Sequence, residues 1–519
     1  MRHRLRVCVP SLLVAALAFG GAPSLARADL PGEVGKIIDA PDYKHAHWGL
    51  LVVDRKSGEV LYEHNPDKLF APASTTKLFS TAAALEALGA KHRFRTPVYA
   101  RGPIEEGVLK GDLILVASGD LTFGGRTDDQ GRIAFTNSDH TYAGFSAKAA
   151  LTEPNPLAGL DDLARQVTSV EIKRIEGDVI VDDRLFDKAE GTGSGPGRLT
   201  PVIVNDNLID FEITPTTIGN PAKIVWRPQT DFVQVDAQVD TVKPGGKVSI
   251  DVSSDGERIT VRGKIPLGHA PFVTIHEVGD AASFARTLLI EALRRQGVEV
   301  TASPLSANAS SELPASDGYG KLTKVAELES PPFSESAKLI LKVSHNLHAS
   351  TLPLLLAAKH GERTLSQGLR RQQAILKGLG VDTETISFGG GAGGDRADYI
   401  TPRAAVQLLR AMAERPDFGV YREAMPILGQ DGTLAGIVPA DSPAYGKFQA
   451  KTGTLLWNNT MNGTSLLTSK ALAGYGTCQS GREVAIALFV NLVHMPDATG
   501  TEKTGKTLGA ICEVLYKAL

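Results

Sequence analysis

Ser74-Thr75-Thr76-Lys77 sets a hydroxyl and an amine three residues apart, and on a helix such positions share a face. A serine hydroxyl becomes a good nucleophile only when a neighbouring base removes its proton. Lysine can be that base only if burial and nearby positive charge lower its pKa enough to leave it neutral. The same spacing also describes a capping serine before a solvated lysine, so the pair alone does not decide. Two further short signals extend it. Ser344-His345-Asn346 can aim a hydroxyl and an amide at one site from a turn, and Lys451-Thr452-Gly453-Thr454 follows KFQA as part of a strand. Each has a counterpart: Ser306-Ala307-Asn308 fits S-x-N in a linker-like stretch, and Lys503-Thr504-Gly505 fits K-T-G near the C-terminus. The ordered set S-x-x-K, S-x-N, K-T-G, each on a suitable element, is far more specific than any member.

The second K-T-G lies inside GTEKTGKT (500–507), which also fits the phosphate-loop pattern G-x-x-x-x-G-K-[ST]. A phosphate loop needs a following helix and further strands, one carrying a metal-binding aspartate. Too little chain follows Thr507 for that. The stretch is expected to be the loop between the last strand and the last helix, both matches being accidental, and no nucleotide partner is expected.

The elements that must position these residues are partly legible. HWGLLVVD (47–54) and EVLYEHN (59–65) read as strands about a turn. Lys77 to Leu88 reads as a helix, with Ser74 or Thr75 able to cap it and Gly89 ending it. From about 95 to 305 the chain turns to short β-like runs (GDLILVASGD, GDVIVDDRLF, KVSIDVSS, RITVRGKI), with GTGSGPGRL (191–199) as an irregular loop and one helical stretch at 281–297. Helices return in SESAKLILKVSHNLHASTLPLLLAAKHG and SQGLRRQQAILKGLG. EVAIALFVNLV (483–493) reads as a buried strand and TLGAICEVLYKAL as a closing helix.

Composition bounds the function. A chain of 519 residues is too long for one core. A net charge of −3 with no basic stripe disfavours nucleic acid. Residues 1–28 join a basic start, a short apolar run and Ala26-Arg27-Ala28, the pattern of a secretory signal peptide, with an uncleaved anchor as the alternative. Cys478 and Cys512 then remain, and spacing leaves their pairing open. The twelve histidines form no H-E-x-x-H or Cys/His cluster, so no metal or other cofactor is expected.

LVVDRKSGEVLYEHNPDKLFAPASTTKLFSTAAALEALG resembles the opening of penicillin-binding D-Ala-D-Ala peptidases. The long β-rich stretch before S-x-N is similar to the class C low-molecular-weight penicillin-binding proteins, the D-alanyl-D-alanine carboxypeptidase/endopeptidase subgroup. SGDLTFGG, GDVIVDDRLFD, VNDNLIDF, SHNLHAS, AKTGTL and ALFVN resemble its landmarks over nearly all the mature chain. The resemblance implies an α/β (α+β) fold: an antiparallel sheet flanked by helices, built from 29–95 plus 310–519, with 96–309 inserted as one or two β-rich domains. Ser74 would be acylated and Lys77 its base. Ser344 and Lys451 would return the proton to the leaving D-alanine, Lys451 staying cationic and so holding down the pKa of Lys77. Asn346 would hold the substrate amide, and Thr452, Gly453 and Thr454 would face the terminal carboxylate, with backbone N–H groups of Ser74 and Thr454 on the oxyanion.

The implied partners are peptidoglycan stem peptides, with β-lactams as inhibitors, in the periplasm or another extracytoplasmic space and with peripheral association with membrane or wall. A β-lactamase and a catalytically weak wall-binding protein are the competing functions. Three features depart from the family pattern. GGGAGGDRADYITP (389–402) stands where a D-G-S-G-L-S-like loop is usual, which puts polar contacts of that wall in question. LWNNTMNGTSLLTSK (456–470) lengthens the chain after KTGTL, in a hairpin that could narrow the site. Asp182 is in register with an acidic residue that some relatives offer to the substrate's amino side chain, though Asp182 and Asp183 also fit ordinary turn carboxylates.

Overall fold

The structure is a computed structural model that describes residues 29–519. The expected signal segment, 1–28, lies outside them. Among the described residues no helix is long and apolar enough to cross a membrane.

One antiparallel sheet organises the site. Its strand order is Val60–His64, His47–Asp54, Glu483–Asn491, Thr464–Thr477, Phe448–Asn459, with Val493–Met495 also paired to Thr464–Thr477. Sequence-distant segments meet here, as in the register Leu50↔Leu488. Successive side chains point to opposite faces. Leu51, Val53, Ala485, Ala487 and Phe489 enter one core, while Leu50, Val52, Ile486, Leu488 and Val490 enter another. Helices cover both faces, which is why these strands read as unbroken apolar runs.

The N-terminal helix Leu30–Ile38 and the C-terminal helix Gly500–Ala518 cover the second core through Leu30, Val34, Leu508, Ile511 and Leu515. The first core takes the helices Thr76–Leu88, Phe333–Lys342, Asn346–Lys359 and Pro402–Ala413. Thr76–Leu88 is buried on every side from Thr76 to Leu85. Cys478 and Cys512 are free thiols, both buried.

A second body carries its own core, drawn from residues between Val98 and Leu328. Arg95–Arg101 pairs with Asp112–Val116 and with Thr323–Glu329, and Asp112–Val116 pairs with Val179–Asp182. Val325, Ala326 and Leu328, beyond the expected boundary at 310, also belong to this core. The body also holds two helices, Ala158–Ser169 and Ala281–Arg295, where one was expected. The first, AGLDDLARQVTS, buries Leu160, Leu163, Ala164 and Val167, the i, i+3, i+4, i+7 spacing of an amphipathic helix that its sequence already carries.

GTEKTGKT is not a loop. It forms the first turns of Gly500–Ala518. Glycine and threonine favour helix poorly, and tertiary packing overrides that preference. A Cβ on Gly505 would lie 3.3 Å from Lys470 Cε, and one on Gly509 2.9 Å from Val438. Lys506 points to solvent and pairs with Glu502 at 2.8 Å. A helix occupies the backbone groups that a phosphate loop would leave open. Lys506→Met should therefore leave the fold and melting temperature at wild-type level, and ATP should not raise that temperature; calorimetric binding of ATP would contradict this.

Candidate active site

Ser74 sits in a short 3₁₀ turn, Ala73–Thr75, which runs directly into Thr76–Leu88. The helix start carries no side-chain cap, so the expected capping role of Ser74 or Thr75 is not what the structure contains: Thr75 Oγ1 instead donates to the Pro72 carbonyl at 2.8 Å. Ala73 is held at φ +46°, a left-handed conformation costly for a residue with a Cβ. That turn leaves Ser74 half-buried at the cleft.

One helical turn on, Lys77 is wholly buried. Its Nζ donates to Ser74 Oγ at 2.7 Å, to Asn346 Oδ1 at 2.8 Å and to the Ala392 carbonyl at 2.8 Å. All three acceptors are neutral. Burial accordingly lowers the Lys77 pKa to about 7, against the opposing pull of the Asp398 carboxylate. Asp398 is itself pushed up to about 7 by burial, although it accepts the N–H groups of Gly389 and Asp395.

Ser344 and Asn346 reach the cleft from the start of the Asn346–Lys359 helix. Ser344 has φ +66°, and its Oγ accepts from Lys451 Nζ at 2.8 Å. Lys451, also wholly buried on Phe448–Asn459, donates its other hydrogen bond to the Thr452 carbonyl at 2.7 Å. Burial, with Lys77 and Lys470 nearby, pushes its pKa well below that of an ordinary lysine, and neither acceptor is charged.

The K-T-G strand passes tightly under the serine. A Cβ on Gly453 would lie 2.5 Å from the Pro72 carbonyl oxygen and 3.2 Å from Ala73 Cβ, so glycine is needed there. Thr452 and Thr454 line the cleft; Thr452 Oγ1 donates to Thr433 Oγ1 at 2.7 Å. The hairpin after them forms as expected, from Phe448–Asn459 and Thr464–Thr477, with Trp457 and Met461 exposed toward its tip.

The glycine loop replaces side-chain contacts by backbone. The Ala392 and Gly391 carbonyls accept from Lys77 and from Ser80 Oγ, the latter at 2.9 Å. A Cβ on Gly393 would come within 1.9 Å of the Ala73 carbonyl oxygen, and one on Gly391 within 2.1 Å of that of Ala349.

Asp182 is not part of this site. It is buried and accepts Arg184 Nε and Nη2 at 2.8 and 2.7 Å and the Tyr319 hydroxyl at 2.5 Å, and the cleft lining lies elsewhere. Asp183 pairs with Lys188 at 2.9 Å. A turn aspartate beside arginine satisfies its own charge locally. What the second body does bring to the cleft is the segment Asn137–Ser146, with Ser138, Tyr142 and Phe145, together with Ser194 of the 191–199 loop. Nothing in their spacing marks them.

Lys470 was missed as well. Opposite Thr454 in the hairpin register, its Nζ donates to Thr454 Oγ1 at 2.9 Å and lines the cleft, and burial lowers its pKa to about 8. Only the hairpin pairing reveals it. The cleft encloses about 320 Å³. Behind it, Asp206, His345 and His348 gather with ligand-capable atoms within 4.8 Å of one another. The Asp206 oxygens are already occupied, by Arg126 at 2.6 Å, His140 at 2.9 Å and His348 at 2.8 Å.

The D-Ala-D-Ala carboxypeptidase 3 (S13) family model matches residues 30–509. A D-alanyl-D-alanine carboxypeptidase of Actinomadura sp. is 28% identical over 515 residues, covering 93% of this chain and 86% of that relative. The D-alanyl-D-alanine carboxypeptidase DacB of Haemophilus influenzae is 26% identical over 461 residues, covering 85% of each. Among solved structures, penicillin binding protein 4 (dacB) from Haemophilus influenzae shares the fold, with a TM-score of 0.66 at 23% identity over 95% of this chain and 100% of that one. With the match running from the first described helix into the last, and the three motifs converging on one cleft between those limits, this chain belongs to the D-Ala-D-Ala carboxypeptidase 3 (S13) family.

Proposed function

We propose that Ser74 is the acylated nucleophile of an exported serine D-Ala-D-Ala carboxypeptidase/endopeptidase that cleaves peptidoglycan stem peptides. The observation that carries this reading is the 2.7 Å contact between Ser74 Oγ and a buried lysine whose pKa lies near 7. Neutral Lys77 takes the Ser74 proton as Oγ attacks the carbonyl carbon of the penultimate D-alanine. Negative charge moves onto the carbonyl oxygen, which the backbone N–H groups of Ser74 and Thr454 receive. The C–N bond then breaks while the proton, passed through Lys451 and Ser344 Oγ, goes to the leaving nitrogen. D-Alanine departs as an amine and the acyl-serine ester remains. Water hydrolyses that ester by the reverse proton path and restores Ser74.

Asn346 holds the substrate amide, and Thr452, Thr454 and Lys470 take the terminal carboxylate, for which a cation in a shallow, partly dry wall is well suited. A β-lactam enters the same steps, but its leaving nitrogen stays tethered to the acyl group. The 96–309 stretch forms one or two β-rich domains inserted into the catalytic one, and residues 1–28 direct export.

Labelled penicillin should attach to the peptide containing Ser74 and nowhere else in a digest read by mass spectrometry. Ser74→Ala should abolish labelling with an unchanged melting temperature. An adduct on another serine would remove the nucleophile assignment.

The acylation rate should rise with pH through about 7, because the neutral form of Lys77 is the reactive one. Removing the Asp398 carboxylate takes away a charge that favours protonated Lys77, so Asp398→Asn should move the rising limb to lower pH. A limb that stays near the ordinary lysine pKa, or moves upward in the variant, would contradict the base assignment.

Lys470→Gln should raise KM for a D-Ala-D-Ala peptide by about ten- to a hundredfold with little change in kcat, since a charge-assisted hydrogen bond contributes about 1.5–3 kcal/mol. For the wild type, KM should rise above pH about 8 as the amine loses its proton. Unchanged KM in the variant would exclude Lys470 from the carboxylate subsite.

A further inference from the structure

Ser344 at φ +66° occupies a conformation that a side chain with a Cβ adopts rarely, and such residues persist where surrounding contacts over-determine them. Two of those contacts come from the second body. The Tyr142 hydroxyl donates to the Ser344 carbonyl at 2.5 Å. Asp206 Oδ1 bonds His348 Nε2 at 2.8 Å and so holds the first turn of the Asn346–Lys359 helix, while His345 Nε2 lies 3.2 Å from the same oxygen without a hydrogen bond to it. The two imidazoles stack with centroids 3.6 Å apart.

Both grips are anchored to one buried polar cluster. Arg126 donates to Asp139 at 2.7 Å and to Asp206 at 2.6 Å; His140 reaches Asp206 at 2.9 Å and Asp210 at 2.6 Å. Asp139 also caps the 3₁₀ turn His140–Tyr142, accepting the Thr141 N–H at 3.1 Å and its hydroxyl at 2.8 Å. Asn205, Asp206 and Asn207 are all left-handed, at φ +49°, +54° and +57°. Asparagine and aspartate tolerate that region best. The cluster is all but closed to water: Asp206 is 4% exposed, and Asp210, His345 and His348 are 0% exposed.

We propose that Tyr142, anchored through this cluster, is a positioning residue for the proton-return step: it holds the Ser344 backbone so that Ser344 Oγ stays aimed at Lys451 and at the leaving nitrogen. The second body then completes the catalytic centre rather than only walling it. Burial keeps the Tyr142 phenol protonated, and so a donor, at every working pH. Loss of its hydroxyl lets Ser344 relax toward an ordinary backbone conformation and swings Oγ away from Lys451. The inference rests on the proposed Ser344 relay and deepens it.

The test separates bond-breaking that needs a proton from bond-breaking that does not. An amide nitrogen leaves only when protonated, whereas a thiolate leaves without help. Tyr142→Phe keeps the ring and removes the donor. Its kcat/KM should fall roughly tenfold on an acyl-D-Ala-D-Ala peptide but change by less than about twofold on the matching thioester. Partial unfolding would lower both rates alike, so the ratio of the two reports positioning and not folded fraction. Ser344→Ala is the reference and should show the same amide-selective loss. If Tyr142→Phe loses both substrates equally, or neither, while Ser344→Ala remains amide-selective, the positioning role is overturned and the relay stands. If Ser344→Ala itself is not selective, the relay and this inference fall together.

Discussion

An amine buried without a charged partner is the constraint on which the catalytic half depends. Lys77 must lose its water to be neutral near pH 7, and losing water is costly unless each remaining polar contact is supplied. Its helix is therefore enclosed from Thr76 to Leu85. Three neutral oxygens, from the same helix, from Asn346 and from the glycine loop, surround the amine. A carboxylate in direct contact would fix the lysine as a cation. Asp398 stays one step removed, tied to backbone N–H groups, and so tunes the amine without pairing with it.

The close approaches around the serine follow from the same need. Gly453, Gly391 and Gly393 bring backbone within reach of Ala73, Pro72 and Ala349, distances that no Cβ would permit. The loop that departs from the family's polar pattern thus reaches Lys77 and Ser80 through its carbonyls. Ala73 and Ser344, both left-handed, store strain of about 1–3 kcal/mol each by general experience of such residues. The cores on either face of the sheet supply the rigidity that keeps them there.

At the S-x-N turn the second body meets the first through polar groups, while elsewhere Ile133 packs on Leu339 and Val343, and Leu121, Phe186, Leu199 and Ile203 enter the first core. Asp139, Asp206 and Asp210 face Arg126, Arg227 and a His140 whose pKa these carboxylates raise to about 10. Such a cluster is worth little as net stability but is specific in geometry, because removing any member strands a buried charge.

The order of the three motifs was legible in the sequence, since each depends on local spacing: i and i+3 on a helix, a turn, and a strand. So were the central strands, whose apolar runs follow from burial on both faces, and the tie of Ser74 to Lys77. Tertiary contact decided what spacing cannot carry. Lys470 enters the cleft through hairpin register, Tyr142 through a turn of the other body, and Asp182 leaves it because Arg184 and Tyr319 take its charge. GTEKTGKT looked like a loop because glycine and threonine favour helix poorly, yet packing on Lys470 and Val438 makes it a helix. The chemistry of single segments was written in their residues. The proton affinities that make it work were not, because desolvation and charge at Lys77, Lys451 and Asp398 arise from residues hundreds of positions apart in the chain and exist only once they are folded together.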